Sequence, residues 1–165
     1  MNGVGELHST TMEVTMDSFF SDVQLHFTID QGKTMVLSTA ENGRVSSRMM
    51  SIVFFDGSFY FQTDKTLRKY HQLITNPQVA LCADNIQVEG ICEELGHPMD
   101  NDRFCNKYKE CFNGSFNRYS SLQNERVFSV KPVHVERWLY IGGVPFIETY
   151  DIEKQQYELI ESKGE

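Results

Sequence analysis

Residues 48–77, RMMSIVFFDGSFYFQTDKTLRKYHQLITNP, read as a strand, a tight turn, a second strand and a helix that opens among cations. Asp56-Gly57 is a two-residue hairpin signal. In SFYFQT, Phe59 and Phe61 fall on one face, and Tyr60 and Gln62 on the other. The spacing predicts a helix over 65–75 with Leu67, Tyr70 and Leu73/Ile74 as its buried stripe. Thr63, Asp64 or Thr66 is placed to cap it, and Asn76-Pro77 to end it. Arg48, Lys65, Arg68 and Lys69 gather around its start, in a chain of formal net charge −8.

Upstream, KTMVLSTA (33–40) is a short strand. Asn42-Gly43 turns it into the strand 44–55. Residues 17–32, DSFFSDVQLHFTIDQG, suit a helix: Phe19, Val23 and His26/Phe27 recur at helical spacing, Asp17 caps and Gly32 stops it. Residues 1–12 are expected as a loose arm, with 13–165 as one domain. Downstream, QVALCA and IQVEGICEEL are strands on either side of Asp84-Asn85. PMDNDRFCNKYKECF is a helix with acidic and amide residues in its first turn and a stripe of Phe104, Tyr108 and Cys111/Phe112. RVFSVKPVHVERWLYI reads as two strand segments bent at Pro132, and GGVPFIETYDIEKQQYELIE as a last hairpin. Hairpin signals dominate and no βαβ alternation appears. The expectation is a mainly β fold with inserted helices and six or more antiparallel strands. The spacing also fits an open sheet with helices on one face. Closure into a small barrel removes exposed edges, and that is the architecture expected.

At 165 residues, 40% hydrophobic and 12% aromatic, the chain can bury a core without a metal or disulfide staple. Its 23 acidic against 15 basic residues argue against nucleic acid as a partner, since a polyanion wants a basic surface. The four cysteines form no CxxC pair, and Cys82 is predicted to face Gln87 rather than Cys92. Reduced thiols are therefore expected. The five histidines lack zinc-ligand spacing, so no metal is expected. The start of the chain lacks the order of a signal peptide, and no apolar run approaches the ~20 residues that span a bilayer. A soluble, cytoplasmic protein that binds no membrane is the expectation.

The cationic helix start suggests a small anion. Unpaired N–H groups and the positive end of the helix dipole bind phosphate. Lys65 and Lys69 would share a helical face, and the hairpin brings Arg48 towards Lys69. A planar guanidinium with an ammonium grips phosphate well. The hydroxyl of Thr66 is a further donor to such an anion.

Residues 33–95, in the order strand, NG turn, Arg-led strand, DG turn, YFQT, RK helix, NP, strand and VEG, resemble the pyridoxamine-phosphate-oxidase-like, FMN-binding split-barrel family. The likeness extends more weakly through FSVKPVHVERW. It implies a homodimer of split β-barrels with FMN at the interface. Arg48 and Lys69 would hold the FMN phosphate, with Arg68 assisting. Met49 and Met50 would present backbone groups to the isoalloxazine edge. Gln62 and Thr63 would lie along the ribityl or phosphate portion. Asn85 falls where many members place a glutamine that contacts the flavin, and Trp138 is a candidate contact from the partner chain. In true pyridoxamine phosphate oxidases the arginine-led strand runs R-x-V-L-x-K, and its lysine contacts substrate phosphate. Here the stretch is RMMSIV, with Val53 in the lysine position. The C-terminal Arg-Leu-His motif is also absent, and Leu67 replaces the serine of SRK. The resemblance therefore implies an FMN-dependent oxidoreductase or flavin reductase acting on a small molecule, and not vitamin B6 phosphate oxidation. No catalytic side chain is assigned, because the flavin supplies the redox chemistry. The alternative is a non-catalytic flavin or haem binder, with His71 or His134 as haem ligand.

Overall fold

The computed structural model describes residues 33–164. The predicted arm over 1–12 and helix over 17–32 lie outside the described residues. The strands are β1 (Lys33–Glu41), β2 (Arg44–Phe55), β3 (Ser58–Asp64), β4 (Gln78–Ala83), β5 (Ile86–Gly96), β6 (Glu125–Ile141), β7 (Val144–Asp151) and β8 (Gln156–Glu161). The helices are α1 (Arg68–Thr75), α2 (Asp102–Cys111) and α3 (Asn113–Tyr119), with a 3-10 turn at Pro98–Asp100.

The hairpin signals hold. Asn42 and Gly43 sit at φ of 50° and 75°, Asp56 and Gly57 at 50° and 71°, as tight turns require. Cys82 faces Gln87 across β4 and β5, and Cys82, Cys92, Cys105 and Cys111 are free thiols. All pairings are antiparallel. The order β3-β2-β1-β4-β5-β6-β7-β8 closes on itself through β3–β6, which makes a six-stranded barrel of β1–β6. Closure leaves no open edge on those six strands.

β6 does two jobs along one length. Its first part, Glu125–Val130, pairs with β3, and its last, His134–Ile141, pairs with β7. The sequence suggested two segments bent at Pro132. The strand instead runs continuously for 17 residues, with an irregularity where Gly90 faces Pro132 and Glu89 faces His134. Pro132 falls between the β3 and β7 pairings, where its missing N–H is not needed. Gly90 is required there for space. A Cβ on it would stand 2.5 Å from the Val130 side chain and 2.9 Å from the Lys131 carbonyl oxygen.

The barrel is filled by Met35, Leu37, Ile52, Phe54, Phe59, Phe61, Leu81 and Phe128. The run IVFF at the end of β2 shows no alternation because both faces are covered. Ile52 and Phe54 point into the barrel, while Val53 and Phe55 pack outside with Phe104, Tyr108 and Val127. α2 therefore lies on the outer face of β2, tied by the Arg103–Asp56 ion pair. Helix α1 is shorter than predicted and begins at Arg68. The buried stripe differs in part: Leu73 is buried as expected, Leu67 and Ile74 are exposed, and Gln72 is buried as well. Helix α3 is an addition to the expected elements.

Gly90→Ala should lower stability by about 1–3 kcal/mol through overpacking, whereas Gly114→Ala, with open space around it, should be neutral or slightly stabilising. Urea denaturation of both variants reads the difference, and equal midpoints would contradict the close approach at Gly90.

Candidate functional site: a cationic cluster at the start of α1

Arg48 stands opposite Leu37 in the β1–β2 ladder. One guanidinium nitrogen, Nη1, donates to the Thr39 hydroxyl at 2.8 Å and to the Leu37 carbonyl at 3.3 Å. The other, Nη2, donates to Gln72 Oε1 at 2.8 Å. Thr39 and Gln72 are themselves fully buried. The Thr39 hydroxyl donates to the same Gln72 oxygen at 2.9 Å, and Gln72 Nε2 donates to Ser46 Oγ at 3.2 Å. Arg68 reaches Ser46 Oγ at 3.4 Å. Every group that holds Arg48 is neutral, so its charge is oriented but not cancelled.

Burial, and then the nearby Arg68, lower the Arg48 pKa. Burial lowers that of Lys69 as well, followed by repulsion from Arg48, with Glu125 acting in the opposite sense. The three cations therefore feel one another. None forms an ion pair among the described residues. The helix adds to this field. Its N-cap, Leu67, offers no side-chain cap, and no acidic residue lies in the first turn.

A cavity of about 340 Å³ opens beside Lys69. Met49, Met50, Gln62 and Thr63, all singled out from the sequence, line it. Gln62 Oε1 accepts from the Ser120 hydroxyl at 2.7 Å. The Thr63 hydroxyl is buried and has no hydrogen-bond partner among the described residues. An orphaned buried hydroxyl costs free energy unless a ligand or water satisfies it. Ser51, Tyr108, Ser115, Tyr119 and Glu125 complete the lining. Burial pushes the Tyr108 phenol up. Glu125 is pushed up to about 7 by burial and then by Asp64, with Lys69 and His97 opposing. A larger recess of about 410 Å³ lies outside β1, β4 and β5, with Val45, Val79 and Ile91 in its lining and no lysine or arginine.

Arg48 and Arg68 belong to the cationic cluster but do not line this cavity, which Lys69 alone of the three borders. Three further expected residues lie elsewhere. The Thr66 hydroxyl is exposed and donates to Asp64 Oδ1 at 2.6 Å, so Asp64 folds onto the loop before α1 instead of capping the helix. Asn85 and Trp138 are brought together, with Asn85 Nδ2 donating to the Trp138 carbonyl at 2.7 Å, but neither lines this cavity. Lys65 precedes the helix and shares no helical face with Lys69. Two important groups had no weight in the sequence reading. Gln72 follows Arg68 by one helical turn, a polar residue inside an apolar stripe, and that spacing was a usable signal. Glu125 opens a strand after a loop and carries no local mark.

The sequence profile of the pyridoxamine 5'-phosphate oxidase family matches residues 23–139. The chain belongs to that family. A comparison with curated proteins gives no match. Among solved structures, the chain is similar to a pyridoxamine 5'-phosphate oxidase-related, FMN-binding protein from Nostoc punctiforme. The TM-score is 0.65 at 15% identity, covering 93% of this chain and 100% of that one. General stress protein 26 from Bacillus anthracis gives 0.58 at 20% identity, over 87% and 98%. A haem storage protein from Vibrio cholerae gives 0.55 at 18%, over 69% and 87%. At these identities the likeness establishes the fold, a split β-barrel. Val53, in the position where the oxidases carry a lysine, is 1% exposed beneath α2.

Gln72→Leu would leave Arg48 and the buried Thr39 hydroxyl short of an acceptor. It should cost about 1–3 kcal/mol in urea denaturation, and an unchanged midpoint would show that Arg48 does not depend on it. The Glu125 carboxyl makes a second prediction. Its pKa is about 7 in the folded chain against an ordinary 4.5, so within that window the folded state binds more protons than the unfolded. Stability should fall as pH rises through the window, by on the order of 2–3 kcal/mol in all. Glu125→Gln should flatten the profile and be the more stable protein above it. Parallel profiles would refute this.

Proposed function

We propose that this chain is an FMN-binding flavoprotein, and that Arg48, Arg68 and Lys69 hold the terminal phosphate of the cofactor. The observation that carries the reading is a cluster of three cations, two of them oriented by neutral partners and none paired with a carboxylate among the described residues. A phosphate dianion supplies the charge they lack, and fork-shaped guanidinium groups suit it. The uncapped start of α1 adds N–H groups. The orphaned Thr63 hydroxyl and the Gln62 amide lie where the ribityl chain would run. Met49 and Met50, next after Arg48 on β2, line the cavity beside Lys69.

Bound FMN would supply two-electron redox chemistry, which makes an FMN-dependent oxidoreductase or flavin reductase acting on a small molecule the activity this site suits. The protein's own part is to bind, orient and keep water away. Pyridoxamine phosphate is a poor candidate substrate. A buried valine stands in place of the lysine that would meet its phosphate. We place FMN at the interface of a homodimer. The exposed Val45 and Ile91 beside the apolar recess suit a subunit contact, and a second subunit is the route by which Asn85 and Trp138 would reach a flavin. The haem alternative has less support. His71 is exposed, and neither it nor His134 lines the cationic cavity.

Freshly purified protein should show flavin absorbance, and the apo-protein should bind FMN with a rise in melting temperature. Lys69→Gln should weaken FMN binding about tenfold or more and leave riboflavin binding little changed. Size exclusion should give a dimer. No flavin absorbance, together with no FMN binding, would remove the reading, and a Soret band on adding hemin would favour the alternative.

A further inference from the structure

The start of β6 puts into this cavity a group that phosphate binding does not call for. Glu125 stands directly opposite Asp64 in the β3–β6 ladder, and opposed residues on antiparallel strands share a face. Two carboxylates therefore lie side by side where the cavity meets Lys69. Their surroundings differ. Asp64 Oδ1 accepts from the Thr66 N–H at 2.7 Å and from the Thr66 hydroxyl at 2.6 Å, and these bonds keep it ionised. Glu125 is 5% exposed, and its carboxyl makes no hydrogen bond or ion pair among the described residues.

The groups that face Glu125 are few. They are Asp64 on β3, Lys69 on α1, Tyr108 on α2 and His97 just before the 3-10 turn. Arg126 is turned elsewhere: its guanidinium donates to the carbonyls of Gln123 and Glu125 and pairs with Glu94. His97 is engaged at both ring nitrogens. Nδ1 accepts from the Met99 N–H, so Nε2 carries the hydrogen that meets the Leu122 carbonyl at 2.9 Å. Lys69 is thus the nearby cation that an ionised Glu125 can use, and it is also a cation that an incoming anion needs.

Resting on the flavin-phosphate reading, we propose that Glu125 is the specificity-determining, proton-linked residue of this cavity: an anion seated on Arg48, Arg68 and Lys69 is accompanied by uptake of a solvent proton onto the Glu125 carboxylate. The balance is simple. One O–H bond forms on Glu125, solvent supplies the proton, and nothing is oxidised or reduced. Once Glu125 is neutral, Lys69 serves the ligand alone. While Glu125 is ionised, it repels the anion across a shared, poorly solvated space. The midpoint of about 7 puts this exchange near neutrality. The buried, unpartnered Thr63 hydroxyl in the same cavity marks it as a place built for a ligand.

The test is the dissociation constant of FMN, followed by flavin fluorescence from about pH 6 to about pH 8.5, for the wild-type protein and Glu125→Gln. The phosphate's own second ionisation, near about 6, affects both proteins alike and cancels in their ratio. The wild type should lose affinity relative to Glu125→Gln by about tenfold across the range, as for a carboxyl whose pKa rises by about one unit on binding. Riboflavin, which has no phosphate, should give a flat ratio. His97→Asn should keep the wild-type slope. Calorimetry of wild-type protein at about pH 8, in two buffers of different ionisation enthalpy, should show net proton uptake, and needs no variant. FMN binding with a flat ratio and no uptake overturns this inference and leaves the flavin reading standing. FMN binding to neither protein at any pH overturns both.

Discussion

The site depends on one arrangement: a guanidinium held by neutral oxygens. Arg48 spends its donors on Thr39, the Leu37 carbonyl and Gln72. A carboxylate in any of those places would have made a buried ion pair and used up the charge. Neutral acceptors fix the geometry and leave the field. The same bonds do structural work. Thr39 is on β1, Arg48 on β2 and Gln72 on α1, so one small network ties the hairpin to the helix and holds the helix start against the barrel. The second guanidinium, Arg68, joins the network through Ser46. Burial first, and then the repulsion of positive charges held together in this way, lowers the pKa values of Arg48 and Lys69. A bound anion relieves that repulsion, so the fold carries a standing preference for one.

The barrel supplies the frame, and β6 is the strand on which both its closure and the cavity rest. Its first residues close the sheet against β3 and deliver Glu125 to the cavity. Its last residues leave the barrel and carry the β7–β8 hairpin. The change of partner falls at Pro132, where no ladder hydrogen bond is required. Gly90 lets β5 pass close enough for the strand to continue. Helix α2 covers the outer side of β2, and this has a chemical consequence. The position that carries an ammonium in pyridoxamine phosphate oxidases is here under a helix, packed with Phe104, Tyr108 and Val127. The apolar packing and the loss of a cation at that place are the same event.

What the sequence disclosed was local. Asn42-Gly43, Asp56-Gly57 and Asp84-Asn85 marked their turns because backbone conformation there is set by two residues. The register between β4 and β5 followed from the turn, which is why Cys82 was seen to face Gln87. The arginine, the two residues after it, and the strand end at Gln62-Thr63 were legible because a hairpin and a following helix fix their direction. The meeting of β3 with β6 was not legible, because it joins segments some sixty residues apart and no pattern encodes the pairing. Glu125 was lost for the same reason: its role comes from Asp64 and Lys69, which are its neighbours only after closure. Leu67 and Ile74 were assigned to the core on the assumption that α1 began at 65. A three-residue delay turned that stripe and put Gln72 inside.

On the proposed reading, charge at two scales would give the site its selectivity. The chain as a whole is acidic, at −8, and a long polyanion would meet that field over most of its length. The cations are gathered at a helix start, where partial burial strengthens their reach. On the proposed reading, a small dianion would be drawn to that one place. In the proposed proton linkage Glu125 would temper the preference from within, since its ionised form would offer Lys69 an internal counter-charge and its neutral form would withdraw it. An acidic surface, a basic cluster and one titrating carboxyl would then act as a graded filter, selecting size outside the site and charge inside it.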